Sequence, residues 1–102
     1  MIELKTDLFA LLARHQDELR HFGVRRLGLF GSFVSGTPSD RSDVDILVEF
    51  ERGKKSFDNF MSLAAFLEQQ IGRPVELVTP ESLSPHIGPH ILREVEYASS
   101  SS

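Results

Sequence analysis

The segment from Asp43 to Phe50 constrains the fold of this chain more than any other part of its sequence. Apolar side chains occupy every second position, as in a strand with one buried face: Val44, Ile46, Val48 and Phe50. The opposite face begins with two carboxylates, Asp43 and Asp45, which point the same way because strand side chains alternate. We therefore predict a strand whose apolar face is covered by helices and whose other face carries charge. Carboxylate oxygens gathered at one spot are the ligands that Mg²⁺ prefers.

A Gly-Ser pair precedes this carboxylate pair by ten residues. Gly31 and Ser32 directly follow the apolar segment 24–30, which we predict to be another strand. A turn of this kind, where a helical turn is expected to begin, offers backbone N–H groups to phosphate oxygens. Arg41 offers a guanidinium for a phosphate oxygen, with a solvated loop charge as the alternative. A phosphate cradle beside paired carboxylates is the minimum equipment for phosphoryl or nucleotidyl transfer.

Two other interpretations of the Gly-Ser turn fail on particular residues. A P-loop requires Lys followed by Ser or Thr, and this chain has Thr37-Pro38 at that place. A serine-hydrolase elbow requires Gly two residues before the nucleophile, and Phe33 stands there relative to Ser35. Ser32 is therefore interpreted as a hydrogen-bond donor to phosphate rather than as a nucleophile.

A third carboxylate lies within a predicted strand at residues 74–78. Glu76 falls on the face opposite Val75 and Leu77. It either completes a carboxylate triad or is a solvated outer residue, and the strand pattern allows both. The triad is attractive because two metal ions ~3.5–4 Å apart need several bridging oxygens, which two carboxylates rarely supply.

Three helices are predicted around these strands. The first runs from Leu4 to Phe22 and ends at Gly23; the second follows the N-cap Ser56 and ends at Gly72. Thr79-Pro80 is typical of the start of a helix, but Pro85 and Pro89 interrupt the stretch that follows. The last predicted helix covers residues 90–98. The buried stripe of the second helix, which excludes Phe66, is predicted to contain Phe57, Phe60, Met61, Ala64, Leu67 and Ile71.

The order of these elements predicts an α/β (α+β) fold, a small mixed sheet with helices packed on one face. We expect residues 1–98 to form one domain and the four serines at 99–102 to form a disordered tail.

Composition narrows the setting and the partners. The chain has 102 residues and no Cys, so a disulfide framework is excluded and a cytoplasmic location is expected. No apolar run approaches the roughly 18 residues of a membrane helix, so no membrane partner is expected. The net charge is −4, and the basic clusters are short, so a long nucleic-acid substrate is not expected.

The motif Gly31-Ser32, ten residues, Asp43-x-Asp45 resembles the signature of the DNA-polymerase-β-like nucleotidyltransferase superfamily. The segments 78–83 and 91–95 make the chain similar to the minimal nucleotidyltransferases (MNT) of prokaryotes. These are similar in turn to the antitoxins of HEPN–MNT toxin–antitoxin pairs. The resemblance covers about residues 1–98.

The resemblance implies a palm-like core as in polymerase β, with Asp43 and Asp45 as catalytic metal ligands. Glu76 falls where the family has its third carboxylate, commonly Asp. Gly31 and Ser32 match the contacts to the nucleotide triphosphate. The implied activity uses ATP and Mg²⁺, with two ions expected. It transfers AMP to a hydroxyl, expected to be that of Tyr, on a HEPN ribonuclease toxin that the chain binds in a hetero-oligomeric complex and neutralises.

Two alternatives remain from different classes of function. The chain could be a non-catalytic antitoxin that acts by binding its toxin, although the intact acidic residues argue against a decayed site. It could instead modify a small-molecule acceptor such as an aminoglycoside, although enzymes of that kind hold the acceptor in an added domain that a chain of 102 residues lacks.

Overall fold

Four strands form one sheet in the computed structural model of the chain: Val24–Phe30 (β1), Val44–Phe50 (β2), Val75–Val78 (β3) and Glu96–Tyr97 (β4). The structure describes residues 5–35 and 43–98. Arg41 and the tail at 99–102 lie outside these ranges. The spatial order of the strands is β3-β2-β1-β4. The strand β1 is antiparallel to both of its neighbours, whereas β2 and β3 are parallel.

The described residues also form five α-helices and a short 3-10 helix: Lys5–Arg14 (α1), Gln16–His21 (α2), Ser32–Ser35 (α3), Phe57–Ile71 (α4), Gly88–Glu94 (α5) and the 3-10 turn Pro80–Ser82. The parallel pair β2 and β3 requires a crossover, and α4 supplies it. No described helix has both the length and the apolar character needed to cross a membrane.

The main core lies between one face of the sheet and the helices α1 and α4. Most of its side chains come from these three elements, among them Leu8, Leu12, Leu29, Ile46, Val48, Leu63 and Leu67. The strand β2 alternates as predicted, since Val44, Ile46 and Val48 are fully buried. The predicted mixed sheet with helices is thereby confirmed.

The other face of the sheet is covered over its middle by the C-terminal segment. Leu47, which shares a face with Asp45, is fully buried. A Cβ placed on Gly28, which pairs with Leu47, would lie 2.5 Å from Cγ2 of Val95. Within residues 5–35 and 43–98, this cover stops short of the charged end of β2, so among these residues the second face is open at that end.

The predicted first helix is interrupted at His15. Its N–H is shared between the carbonyl oxygens of Leu11 and Leu12, both at 3.2 Å, and its ring Nδ1 lies 2.7 Å from a Glu18 carboxylate oxygen. The chain resumes as α2 and ends at Gly23, whose φ of +78° is the left-handed conformation that favours glycine. The expectation of a continuous helix was therefore wrong, because the contacts of His15 favour a break.

The ends of α4 are as predicted, but its buried face is rotated. Ser56 Oγ accepts a hydrogen bond from the Asn59 N–H at 3.1 Å, and Gly72 closes the helix with φ +79°. Phe57 is 77% exposed and Met61 50% exposed, contrary to prediction. The half-buried Phe66 instead packs against Phe22, with ring centroids 5.3 Å apart. The aromatic side chain at the end of α2 thus selects the face of α4 that is buried.

The last predicted helix was too long. The structure ends α5 at Glu94 and places β4 at the edge of β1, where the Ala98 N–H donates to the Leu27 carbonyl at 2.8 Å. The unpaired backbone groups of β1 are the reason, since an edge strand satisfies them as a helix cannot.

Candidate active site

The Gly-Ser turn lies directly against the carboxylate of Asp45. The strand β1 ends at Phe30, which pairs with Asp45 across the antiparallel ladder. Gly31 follows with φ +77°, and a Cβ placed on it would lie only 2.1 Å from Oδ2 of Asp45. Glycine is therefore required here twice, for its backbone conformation and for the space that the carboxylate occupies.

The register of the parallel pair brings a second carboxylate beside the first. Asp45 is paired with Glu76, so the two side chains project from neighbouring strands on the same face. Asp43 precedes β2 by one position and lies two residues before Asp45. Its side chain is exposed, as is that of Glu76, whereas Asp45 is half-buried. The structure thus brings all three predicted carboxylates to one end of the sheet.

Burial and the negative charges of neighbouring carboxylates dominate the surroundings of Asp45. The pKa of Asp45 is raised to about 6, first by burial and then by the charges of Glu76 and Asp43. Within residues 5–35 and 43–98, the charges that act on this pKa are carboxylates only. A cation bound here would replace repulsion by attraction, because it would favour the ionised form of Asp45.

The donor set is chemically suited to Mg²⁺. All three side chains offer hard oxygen atoms, and two of them stand directly opposite each other in the sheet. In the part of the chain that the structure describes, no three such groups are yet arranged around a common metal position. The side chains therefore have to approach one another to share an ion, and the exposed Glu76 can do so by a change of rotamer. The residues present therefore fit the ion.

The Gly-Ser turn continues into a short helix. Ser32 begins α3, and the Val34 N–H donates to the Gly31 carbonyl at 3.0 Å. The first N–H groups of a helix have no acceptor within the helix itself. The predicted Arg41 lies outside the described residues.

Phe33 is a residue of the site region that sequence reasoning missed. Its side chain is 2% exposed and belongs to the core cluster, so it anchors the turn that bears Ser32. An apolar residue directly after the Gly-Ser pair was the available signal. In the sequence, Phe33 otherwise serves only to exclude a serine-hydrolase elbow.

Comparison with known proteins identifies the family of this chain. The model of the nucleotidyltransferase domain family matches residues 12–98. The protein adenylyltransferase MntA of Thermococcus cleftensis is 45% identical over 92 residues, which are 89% of this chain and 92% of that protein.

Two solved structures are similar in fold. One, described as a minimal nucleotidyltransferase, is 29% identical with a TM-score of 0.78 over 92% of this chain and 95% of its own. The other is a tri-AMPylated Shewanella oneidensis HEPN toxin in complex with MNT antitoxin. It is 20% identical with a TM-score of 0.62 over 91% of this chain and 73% of that chain, a likeness of fold alone.

The resemblance seen in the Gly-Ser and Asp-x-Asp motif is thereby confirmed. The matched region contains Gly31, Asp45 and Glu76, the residues that the strands bring together. The chain belongs to the nucleotidyltransferase domain family, and it is a nucleotidyltransferase homologous to the protein adenylyltransferase MntA.

Proposed function

We propose that this chain is an antitoxin that transfers AMP from ATP to a hydroxyl of a HEPN ribonuclease toxin and thereby neutralises it. The observation that carries the proposal is the packing of the Asp45 carboxylate against Gly31, opposite Glu76 in the parallel pair. Nucleotidyl transfer needs a turn that binds phosphate and, in contact with this turn, a cluster of carboxylates. The names of MntA and of the HEPN–MNT complex support the protein acceptor.

The nucleotide is held by its phosphates. Backbone N–H groups of Gly31 and Ser32 and the Ser32 hydroxyl donate to the triphosphate, and the Arg41 guanidinium neutralises part of its charge. Asp43, Asp45 and Glu76 would hold Mg²⁺. When bound, this ion stabilises charge on the phosphate oxygens and lowers the pKa of the acceptor hydroxyl. The raised pKa of Asp45 supports this role, because a bound cation would offset the negative charges that raise it.

The reaction is an in-line displacement at the α-phosphorus. The acceptor oxygen forms a bond to this phosphorus while the bond to the oxygen shared with the β-phosphate breaks, so pyrophosphate leaves. The proton of the hydroxyl passes to the carboxylate of Glu76, which is exposed on its strand and therefore accessible. The product is a phosphodiester of AMP on the acceptor, for which we propose Tyr.

The acceptor reaches the carboxylates from the open end of the second face. The C-terminal segment covers the middle of this face, at Leu47 and Gly28, but Asp43 and Glu76 remain exposed. We therefore infer that the partner protein itself presents its hydroxyl to the site.

Radiolabelled transfer to the partner tests the proposal. Purified chain, a HEPN-family toxin and Mg²⁺ are incubated with ATP labelled at the α-phosphate, with ATP labelled at the γ-phosphate as control. We expect label on the toxin from the first nucleotide only, loss of its ribonuclease activity, and no transfer by Asp45→Asn.

The same experiment separates catalysis from binding. If Asp45→Asn silences the toxin as well as the unchanged chain does, and no label is transferred by either, the chain acts by contact and the proposal fails.

A further inference from the structure

Phe33 ties the Gly-Ser turn to the core of the protein. Its side chain is 2% exposed and belongs to the same apolar cluster as Leu29 and Ile46. The helix α3 that carries it has only four residues and contacts both β1 and β2. A helix this short is not stable by itself. The position of α3, and of Ser32 at its start, therefore depends on tertiary contacts such as those of Phe33.

The ring of Phe33 also receives a contact from the turn between α4 and β3. The guanidinium carbon of Arg73 lies 5.1 Å from the ring centroid, within the range of a cation–π contact. The next residue, Pro74, accepts the Val44 N–H at its carbonyl oxygen, at 2.9 Å. The turn that carries Arg73 is thus hydrogen-bonded to the start of β2, the strand that presents Asp45.

These contacts join the two sides of the site. One path leads from β2 through Pro74 and Arg73 to the ring of Phe33. The other leads along the chain from Phe33 back to Gly31, which packs against the Asp45 carboxylate. Gly31 has no side chain that could fix the turn, so a displacement of Phe33 would move the turn relative to the carboxylates.

We propose that Phe33 and Arg73 are positioning residues, which hold the Gly31-Ser32 turn where it can bind the triphosphate of the nucleotide. The inference rests on the proposed use of ATP. Phe33 holds α3 from the core, and Arg73 acts on the nucleotide through the ring of Phe33 rather than by contact with phosphate. Precise placement matters here because hydrogen bonds weaken steeply when donor and acceptor are misaligned.

Two probes report separately on the two sides of the site. AMP-PNP with Mg²⁺ reports on the turn, and Mn²⁺ without nucleotide reports on the carboxylates, since it shares the preference of Mg²⁺ for oxygen ligands. AMP-PNP affinity is measured by calorimetry and Mn²⁺ affinity by electron paramagnetic resonance. We expect Phe33→Leu to weaken AMP-PNP binding by about tenfold, as for one lost charge-assisted hydrogen bond. Arg73→Gln should weaken it by about threefold, and neither variant should change Mn²⁺ affinity.

Leu19→Ala is the matched core control. Leu19 is buried in α2, before the start of β1, whereas the site lies at the other end of that strand. This variant should lower the Tm and leave AMP-PNP affinity unchanged.

The double variant tests whether Arg73 acts through the ring. Residues that act through one shared contact have non-additive effects. Adding Arg73→Gln to Phe33→Leu should therefore change AMP-PNP affinity little. A further loss of about threefold, equal to that of Arg73→Gln alone, would overturn the role given to Arg73.

A purely structural role of Phe33 gives another pattern. Phe33→Leu would then lower the Tm and leave AMP-PNP affinity unchanged, as Leu19→Ala does, or it would weaken AMP-PNP and Mn²⁺ equally, and either result would overturn the inference. Phe33→Met, which keeps a long apolar side chain without a ring, serves if Phe33→Leu is poorly folded. Failure of the unchanged chain to bind AMP-PNP would overturn the proposed function together with this inference. Normal AMP-PNP binding by Phe33→Leu and Arg73→Gln would overturn the inference alone.

Discussion

The environment of Asp45 makes its ionised carboxylate unfavourable in the folded protein. Its carboxylate is half-buried beside Glu76 and Asp43, and these surroundings raise its pKa to about 6. An unfolded Asp titrates at about 3.9. The folded state therefore holds the proton more tightly than the unfolded state does. The contribution of Asp45 to stability is greatest below pH 4 and is lost as the pH rises toward 6.

We predict that Asp45→Asn raises the free energy of unfolding at pH 7 in the absence of divalent cations. The expected gain is roughly 1–2 kcal/mol after allowance for solvent screening, because the substitution removes the repelled charge. Urea unfolding from pH 4 to pH 7 measures it, with Glu94→Gln as a control that removes a carboxylate elsewhere. Parallel pH profiles for Asp45→Asn and the unchanged chain would contradict the shifted pKa.

Glu76 is the residue at which this chain departs from the Asp expected in its family. Its pairing with Asp45 in the parallel register places its side chain beside that of Asp45 on the same face of the sheet. Its exposure leaves the alternative of a solvated residue open to test.

We predict that Glu76→Gln lowers turnover by at least tenfold while ATP binding is retained, because the Gly31-Ser32 turn and the Asp pair still hold the nucleotide. Glu76→Asp should remain active, since it keeps a carboxylate at the same place. Turnover and nucleotide affinity of both variants separate the two roles. Normal turnover by Glu76→Gln would remove this residue from the site.

At the scale of elements, the helix α4 shows which of its apolar residues support the fold. Leu63 and Leu67 are fully buried, whereas Phe57 at the start of the helix is 77% exposed. All three are large and apolar, so hydrophobicity alone does not distinguish them.

We predict that Leu67→Ala costs about 2–5 kcal/mol of unfolding free energy, because it leaves a cavity in the core. Phe57→Ala should change it by less than about 0.5 kcal/mol, as for other exposed positions. Chemical denaturation of the two variants provides the comparison. A similar cost for both would mean that α4 is rotated relative to the structure described above.

For the whole molecule, the C-terminal segment decides how the second face of the sheet is closed. Val95 and Tyr97 lie against Gly28, and the Ala98 N–H binds the Leu27 carbonyl. Tyr97 adds a contact with the Arg26 guanidinium, 3.8 Å from the ring centroid. Among the described residues, this segment covers the sheet next to the carboxylates rather than over them.

We predict that Gly28→Val destabilises the protein by about 1–3 kcal/mol, because the new side chain would overlap Val95. Hydrogen exchange should show loss of protection at Ala98, whose N–H depends on the displaced segment. Unchanged stability together with unchanged exchange at Ala98 would show that the segment does not cover this face.

The amino-acid sequence by itself determined the features that depend on neighbouring residues. The alternation of β2, the caps Ser56 and Gly72 and the turn at Gly31-Ser32 were all predicted, because a backbone conformation and its nearest hydrogen bonds are local chemistry. The same local motif, Gly31-Ser32 followed after ten residues by Asp43-x-Asp45, was sufficient to recognise the family that the comparison confirms.

Tertiary structure alone decided the rest. The buried face of α4 and the strand β4 each depend on partners distant in sequence, such as Phe66 with Phe22 and Ala98 with Leu27. The same is true of the site itself. Asp45 meets Gly31 and Glu76 through strand register, and register is set by the packing of whole sheet faces rather than by any short segment.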